Sequence, residues 1–432
     1  MRSLFSTASL ATSLVARTSL RGAARRMSAA AAASSDSPAP LSAKRIQVQL
    51  TKDPKKMLPL NQLVFGQTFS DHMLTAEWTA SKGWADPKIQ PYGKISLEPS
   101  ATVFHYAMEC FEGMKAASAI TAGDAITAPL CACTGIRTAS FSYKDKQGRI
   151  RLFRPDMNVN RLYNSCKRMT LPTFDKAEML ELIKQFVKTE TNWIPSERGY
   201  SLYLRPTSIA TQESLGVGPS NRALFFVIAS PVGPYYKTGF SAVSLYSSRE
   251  YVRAWPGGTG DAKVGGNYAP GIRPQIEVAK DGYQQILWLF GEKDNITEVG
   301  TMNFFMYWIN EDGVKELRTP PLDGTILPGV TRDSILTLSR DWNEFKVTEG
   351  PITMSAVTKA ISEGRVLEMF GAGTAAIVSP IKRIRYDDKD LSIPLDPKDP
   401  NAQAGPLTKR FADTIMGIQY GEIPHKWSVI VD

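Results

Sequence analysis

Lys263 stands in GGTGDAKVGGNYAP, residues 257–270, where five glycines surround one cation and Tyr268 follows five positions on. Glycine costs conformational entropy to order, so crowding it around a lysine implies backbone geometry that side chains would forbid. A solvent-exposed turn that happens to carry a charge is the plain reading. A lysine that a ligand must approach closely is the other, and two further stretches favour it. FGAGTAAIV (370–378) spaces its glycines so that successive N–H groups can form an anion nest, with the Thr374 hydroxyl beside them. LPGVTRDS (327–334) leads into a helix start at Val330 and Thr331, where unpaired amides attract phosphate. GGTGDAKV itself is no phosphate-binding P-loop, since no glycine directly precedes its lysine and no Ser or Thr follows it.

A lysine that bonds covalently to a phosphate-bearing ligand describes the chemistry of pyridoxal phosphate, whose aldehyde condenses with an amine. That group also needs a carboxylate at its ring nitrogen. DNITEVGTMNFF (294–305) offers Glu298, flanked by Thr297 and Thr301 just before an apolar run. On its own Glu298 reads more often as an exposed loop acid. Arg161 reads equally as a surface arginine, because Val159, Leu162 and Cys166 occupy another face of its helix.

These residues must be held by something, and the pattern supplies two α/β halves. DKAEMLELIKQFVKTE (175–190) is expected to be a helix, with Asp175 and Glu178 as a capping box and Leu180, Ile183 and Val187 inward. RALFFVIA (222–229) reads as a buried strand, and SPVGPYYKTGF after it as a linker between domains. QQILWLFG (284–291) and MNFFMYWIN (302–310) read as buried strands, with a hairpin turn at DGV. TRDSILTLSRDW (331–342) and TMSAVTKAISEG (353–364) read as helices, the second stopped by Gly364. RVLEMFGAGTAAIVSP is a strand, a glycine-rich turn and a strand. The expected division is a small N-terminal α/β domain over 41–234, a linker over 235–242 and a large C-terminal domain over 243–432.

Residues 1–40 differ from the rest. They hold Arg2, Arg17, Arg21, Arg25 and Arg26, many Ser, Thr and Ala, and no acid before Asp36. That composition describes a disordered transit peptide, addressed to the mitochondrial matrix or alternatively to a plastid. Loss of its five arginines and one aspartate takes the net charge from +9 to +5. The remaining cations are scattered among acids, which argues against a nucleic-acid partner. No run approaches the roughly 18 apolar residues of a membrane span. Cys110, Cys131, Cys133 and Cys166 make no disulfide framework, and His72, His105 and His425 lie far apart, so no metal centre is expected.

AWPGGTGDAKVGGNYAP, LWLFGEKDNITEVGTMNFF, PPLDGTILPGVTRDSIL and EMFGAGTAAIVSPI resemble the motifs of branched-chain amino acid aminotransferases, which are class IV, fold-type IV pyridoxal phosphate enzymes. FGQTFSDHMLTAEW, FHYAMECFEGMKA, RLFRPDMNVNRL and SLYLRPTSIATQESLGVG continue the resemblance through the N-terminal half. It implies a two-domain fold like that of D-amino acid aminotransferase, and a homodimer with active sites near the interface. It also implies transamination of L-leucine, L-isoleucine or L-valine with 2-oxoglutarate.

The resemblance further implies roles. Lys263 would carry pyridoxal 5′-phosphate as a Schiff base and then move protons. Tyr268 would meet the 3′-oxygen and Glu298 the ring nitrogen. Arg161, Thr374 and the amides of Val330 and Thr331 would take the phosphate. Phe65, Tyr106, Phe111, Tyr203 and Tyr235 would wall the side-chain pocket, with Tyr106, Leu215 and Val217 supplied by the dimer partner. Arg205 would receive the distal carboxylate of glutamate, and Thr301 with the amides of Ala375 and Ala376 the α-carboxylate.

The chain departs from the family in two places. Ala376 and Ser379 stand where some members carry a redox-active C-x-x-C, so thiol regulation by that route is not expected. Residues 117–140 interrupt a short strand connection without any apolar period, and are expected to be an irregular insertion dispensable for catalysis. A D-amino acid aminotransferase, an aminodeoxychorismate lyase or a catalytically silent binding protein are the competing readings. Arg205 with the aromatic set, and the retention of Lys263 and Glu298, argue against them.

Overall fold

The structure, a computed structural model, describes residues 37–118, 149–195, 197–233 and 241–431. The expectations for the transit segment before residue 37, for the insertion from 119 onward, for Tyr235 and for residues 235–240 of the linker lie outside these residues.

The first half begins with β1 (Gln47–Val48), β2 (His72–Thr79), β3 (Gly83–Trp84) and β4 (Lys88–Pro91). The one-turn helix α1 (Thr102–Tyr106) leads to β5 (Glu109–Phe111), β6 (Met114–Ser118) and β7 (Ile150–Phe153). Two helices follow, α2 (Pro155–Arg168) and α3 (Lys176–Thr189), and then β8 (Ser201–Ala210) and β9 (Arg222–Val232). Pro155 opens α2, where its missing N–H leaves no bond unmade. Asp175 caps α3 by accepting the N–H groups of Ala177 and Glu178 at 2.8 and 3.0 Å. The expected reciprocal half of that cap does not form, because Glu178 accepts the Ala43 N–H from the N-terminal segment instead. Met179, Leu182, Ile183, Phe186 and Val187 form the buried face of α3, and Leu180, expected inward, is only half-buried.

The second half holds β10 (Val243–Ser248), α4 (Ile272–Ala279), β11 (Gln285–Phe290), β12 (Asn295–Val299), β13 (Met302–Ile309) and β14 (Lys315–Thr319). It continues through α5 (Val330–Trp342), β15 (Lys346–Glu349), α6 (Met354–Ser362), β16 (Val366–Gly373), β17 (Ile377–Tyr386), β18 (Lys389–Ser392), α7 (Pro406–Gln419) and β19 (Ser428–Val431). The apolar runs read as strands are strands, and Gly364 stops α6 at φ +63°.

Two sheets result. The first runs β1-β4-β2-β9-β8-β6-β7-β19, with β3 on β2 and β5 on β8. The second runs β12-β11-β10-β17-β16-β13-β14-β15, with β18 on β17, and a β12–β13 pairing closes six of its strands into a ring. Two boundaries differ from expectation. Ala117 and Ser118, assigned to the insertion, instead complete β6 by pairing with Arg151 and Ile150 of β7. The last strand, β19, returns to the first sheet and pairs with β7, because its apolar residues find an open edge there. Each sheet has its own apolar core, and a third cluster between α5, α7 and Trp427 reaches Phe153 of β7. No helix among the described residues is long and apolar enough to cross a membrane.

Candidate active site

The loop after β10 leaves its own sheet and docks on the first. Cys110 and Val264 form an isolated antiparallel bridge, and the Phe111 N–H donates to the Lys263 carbonyl at 3.0 Å. Ser165 of α2 accepts the Lys263 N–H through its hydroxyl at 2.9 Å. Ala262 and Val264 are buried in the first sheet's core, so Lys263 is anchored by apolar neighbours on both sides. The glycines answer to close approach. A Cβ on Gly265 would collide with the Glu109 carboxylate, and one on Gly260 would sit 2.7 Å from the carbonyl oxygens of Gly324 and Thr325.

Held this way, Lys263 Nζ donates to Tyr268 Oη at 2.9 Å and lies 4.8 Å from the centre of the Phe111 ring. Burial, then the nearby Arg161 guanidinium, pull the Lys263 ammonium down to about 8. Burial, then the Glu298 carboxylate, push the Tyr268 phenol up to about 12.

Two buried acid–arginine pairs frame this lysine. Arg161 is not on the surface: it is 7% exposed and forks onto Glu112, Nε to Oε1 at 2.7 Å and Nη2 to Oε2 at 2.8 Å. Asn158 and the Gly113 N–H also donate to Glu112 Oε2. The remaining Nη1 of Arg161 donates to the Pro328 carbonyl at 3.0 Å, beside the start of α5. That helix begins at Gly329, which has no side chain to cap it. The amides of Val330, Thr331 and Arg332 therefore have no intrahelical acceptor. Glu298 is not a loop acid either. It lies in β12, 2% exposed, with Arg253 Nε 2.7 Å from its Oε2 and the Leu327 N–H donating to its Oε1 at 2.8 Å. Burial pushes the Glu298 carboxyl up, against the Arg253 guanidinium and the Leu327 amide, which pull it down.

Glu112, Asn158, Ser165 and Arg253 were not singled out by the sequence reading. Glu112 and Asn158 do sit inside quoted motifs, FHYAMECFEGMKA and RLFRPDMNVNRL, and Arg253 directly precedes AWPGG. The signal available was a charged residue within an otherwise small or apolar stretch.

The aromatic set divides into two groups. Phe65 meets Tyr203 edge-on with centroids 4.9 Å apart, and Phe111 lies 5.1 Å from Tyr268. Arg205 lies over both Phe111 and Tyr203, 4.8 and 5.4 Å from their centres, and its Nη2 donates to Tyr203 Oη at 3.2 Å. Its buried Nε has no hydrogen-bond partner among the described residues. Tyr106, Leu215 and Val217 instead form an exposed cluster, in which Tyr106 Oη donates to the Leu215 carbonyl. Among the described residues, no hydrogen bond or ring contact joins that cluster to Lys263.

Thr301, in the β12–β13 turn, is exposed. The β13–β16 register ends with Asn303 paired to Ala372, so the turns that hold Thr301 and Thr374 leave the same end of this strand pair. Thr374, Ala375 and Ala376 make the β16–β17 turn, all half-buried.

The chain matches the family described as Amino-transferase class IV over residues 141–384. It is 56% identical over 387 residues to the branched-chain-amino-acid aminotransferase of Dictyostelium discoideum, covering 89% of this chain and 94% of that relative. To the mitochondrial branched-chain-amino-acid aminotransferase of Schizosaccharomyces pombe it is 49% identical over 397 residues, covering 91% of this chain and 86% of the relative. In fold it is similar to the crystal structure of the branched-chain amino acid aminotransferase from Thermobaculum terrenum in its PLP form, with a TM-score of 0.62 at 19% identity. That match covers 85% of this chain and all of the other.

The depressed Lys263 ammonium has a direct consequence. At a value of about 8, roughly a tenth of it is free amine at pH 7, against less than about a thousandth for an ordinary lysine. In the protein without ligand, the rate at which an aldehyde or acylating reagent modifies Lys263 should rise through a midpoint near 8. A midpoint near the ordinary lysine value, read by peptide mapping from neutral to strongly alkaline pH, would show that burial does not act on this amine. The linked stability has a definite sign. Protonation is disfavoured in the folded chain, so this contribution is complete above the ordinary lysine value and is lost as pH falls through about 8.

Proposed function

This chain belongs to the class IV aminotransferases, among the branched-chain-amino-acid aminotransferases, and on that premise we propose that it exchanges the amino group of L-leucine, L-isoleucine or L-valine with 2-oxoglutarate. The observation that carries the reading is a lysine amine with a depressed proton affinity, bonded to a phenol and flanked by a buried carboxylate and a buried arginine.

Pyridoxal 5′-phosphate fits these residues by the chemistry of the donor set. When bound it supplies an aldehyde that condenses with an amine, and a ring that takes up negative charge from the adjoining carbon. Lys263 would hold it covalently. Arg161, the uncapped amides of Val330 and Thr331 at the start of α5, and Thr374 would hold its phosphate. Tyr268 would face the 3′-oxygen and Glu298 the ring nitrogen.

The chain's own residues then act as follows. Lys263 Nζ, free amine often enough at neutral pH, takes the proton from the substrate's Cα and returns it. Tyr268, pushed up to about 12, stays a neutral phenol and keeps the amine oriented. Arg253 opposes the burial that would neutralise Glu298, and Glu112 fixes the plane of Arg161 through two parallel bonds. Thr301 and the amides of Ala375 and Ala376 receive the α-carboxylate. Phe65, Phe111, Tyr203 and Tyr235 enclose an aliphatic side chain, and Arg205 receives a distal carboxylate.

The working form is a homodimer in which Tyr106, Leu215 and Val217 of a second copy cover the pocket. Their exposure here, 83% at Val217, supports that arrangement. Residues 235–242 serve as the interdomain linker between 41–234 and the second domain that starts at 243, which accords with β9 ending at Val232 and β10 beginning at Val243, while β19 returns to the first domain. Residues 1–40 direct the chain to the mitochondrial matrix, with a plastid as the alternative address.

The protein as purified should absorb as a yellow lysine-bound cofactor, and L-leucine should convert that band to the aminated form. A colourless protein that stays inactive after pyridoxal phosphate is supplied would sink the assignment, and Lys263→Ala should abolish turnover. Arg205→Gln should weaken 2-oxoglutarate and glutamate by about 1.5–3 kcal/mol, roughly ten- to a hundredfold, and leave leucine nearly unchanged. Equal losses of affinity for all three would show that Arg205 is structural. Val217→Asp should yield monomers of low activity by sedimentation, and a fully active monomer would overturn the shared site.

A further inference from the structure

Lys115 has no part in the reading above. It lies on β6 directly opposite Tyr203 of β8, so the two side chains leave the same face of the first sheet. Its ammonium crosses to the other sheet, where Nζ donates to the Ala375 carbonyl at 2.9 Å. Burial pulls that ammonium down to about 8, as expected of a cation enclosed by protein.

The turn it reaches is strained. β16 and β17 pair as far as Gly373 and Ile377, leaving Thr374, Ala375 and Ala376 as the loop. Ile377 has φ +61°, a region that β-branched residues rarely enter. The Val378 N–H closes back on the Ala376 carbonyl at 2.8 Å across that single residue, the rare positive-φ form of the γ-turn. Such backbone persists where its surroundings over-determine it, and it gathers at functional sites. In a trans peptide the Ala375 carbonyl and the Ala376 N–H point in opposite directions, so fixing one fixes the other.

We propose that Lys115 is a positioning residue for the substrate's α-carboxylate, holding the Ala375 carbonyl so that the Ala376 N–H is presented beside Thr301. This rests on the carboxylate subsite proposed at Thr301, Ala375 and Ala376. Every amino acid and oxo acid brings the same α-carboxylate, so the effect of Lys115 is blind to the side chain. Arg205, by contrast, distinguishes substrates.

The test titrates the holoenzyme with 4-methylpentanoate, an acid with leucine's carbon skeleton and no amino group, by calorimetry. Lys115→Met should weaken it roughly tenfold, the scale of one lost hydrogen bond to a charged group. KM should rise by a similar factor for both leucine and 2-oxoglutarate, while cofactor affinity and the absorption band stay unchanged. Lys115→Arg should recover most of the loss. Lys115→Gln carries the same readouts where the methionine variant does not fold. Unchanged 4-methylpentanoate affinity with a lowered unfolding midpoint would make Lys115 a mere tether and overturn the proposal. So would a KM increase seen with 2-oxoglutarate alone. Thr301→Val separates the two levels. If it leaves 4-methylpentanoate binding intact, the carboxylate subsite itself is misplaced. If it weakens binding while Lys115→Met does not, only the role of Lys115 falls.

Discussion

The short backbone bridge between residues 110–111 and 263–264 governs the site. A segment of the second half is stitched to the first sheet by the Phe111 N–H on the Lys263 carbonyl and by Ser165 on the Lys263 N–H. With both backbone groups of the lysine bonded, its side chain has one way to go, toward Tyr268 and the ring of Phe111. The glycines around it follow from the same closeness, since Gly265 passes the Glu109 carboxylate and Gly260 packs on two carbonyls. The lysine's depressed proton affinity is a further consequence, because the bridge buries the amine and brings it within the field of Arg161 on α2.

Charge around that lysine is compensated unevenly. Burying an ion is costly unless a partner and hydrogen bonds offset the lost hydration. Glu112 is matched by Arg161 and Glu298 by Arg253, each with a close nitrogen–oxygen contact of 2.7 Å. Among the described residues Arg205 has no acid, only a phenol and two ring faces, and its buried Nε is unpartnered. The excess of positive charge that remains suits anionic ligands, and the proposed ones bring a phosphate and one or two carboxylates.

On the proposed assignment, the same arginine would let one pocket take unlike side chains. A guanidinium lying on Phe111 and Tyr203 is held by the ring faces, so it would stay in place with an aliphatic chain in the proposed pocket. Its donors would still be there for a second carboxylate. Across the cleft, Lys115 grips the turn that is proposed to receive the carboxylate common to all the substrates. Constancy and discrimination are thus assigned to different cations on one face of one sheet.

The sequence by itself determined what depends on neighbours along the chain. Asp175 caps α3, the apolar runs at 222–229, 284–291 and 302–310 are strands, and the motifs around Lys263 and Glu298 identify the family. It also located most of the cluster, since Phe65, Phe111, Arg161, Tyr203, Arg205, Tyr268 and Glu298 do converge on Lys263 or its neighbours. Tertiary structure alone decided which groups face each other. Glu178 turned from its own helix cap to Ala43, β19 crossed to the first sheet, and Glu112 met Arg161 across 49 positions. Lys115 found its acceptor 260 residues away. Caps and periods are local rules about a few successive dihedrals, whereas the partner of a buried charge is set by which elements meet in space, and separation along the chain carries no trace of that.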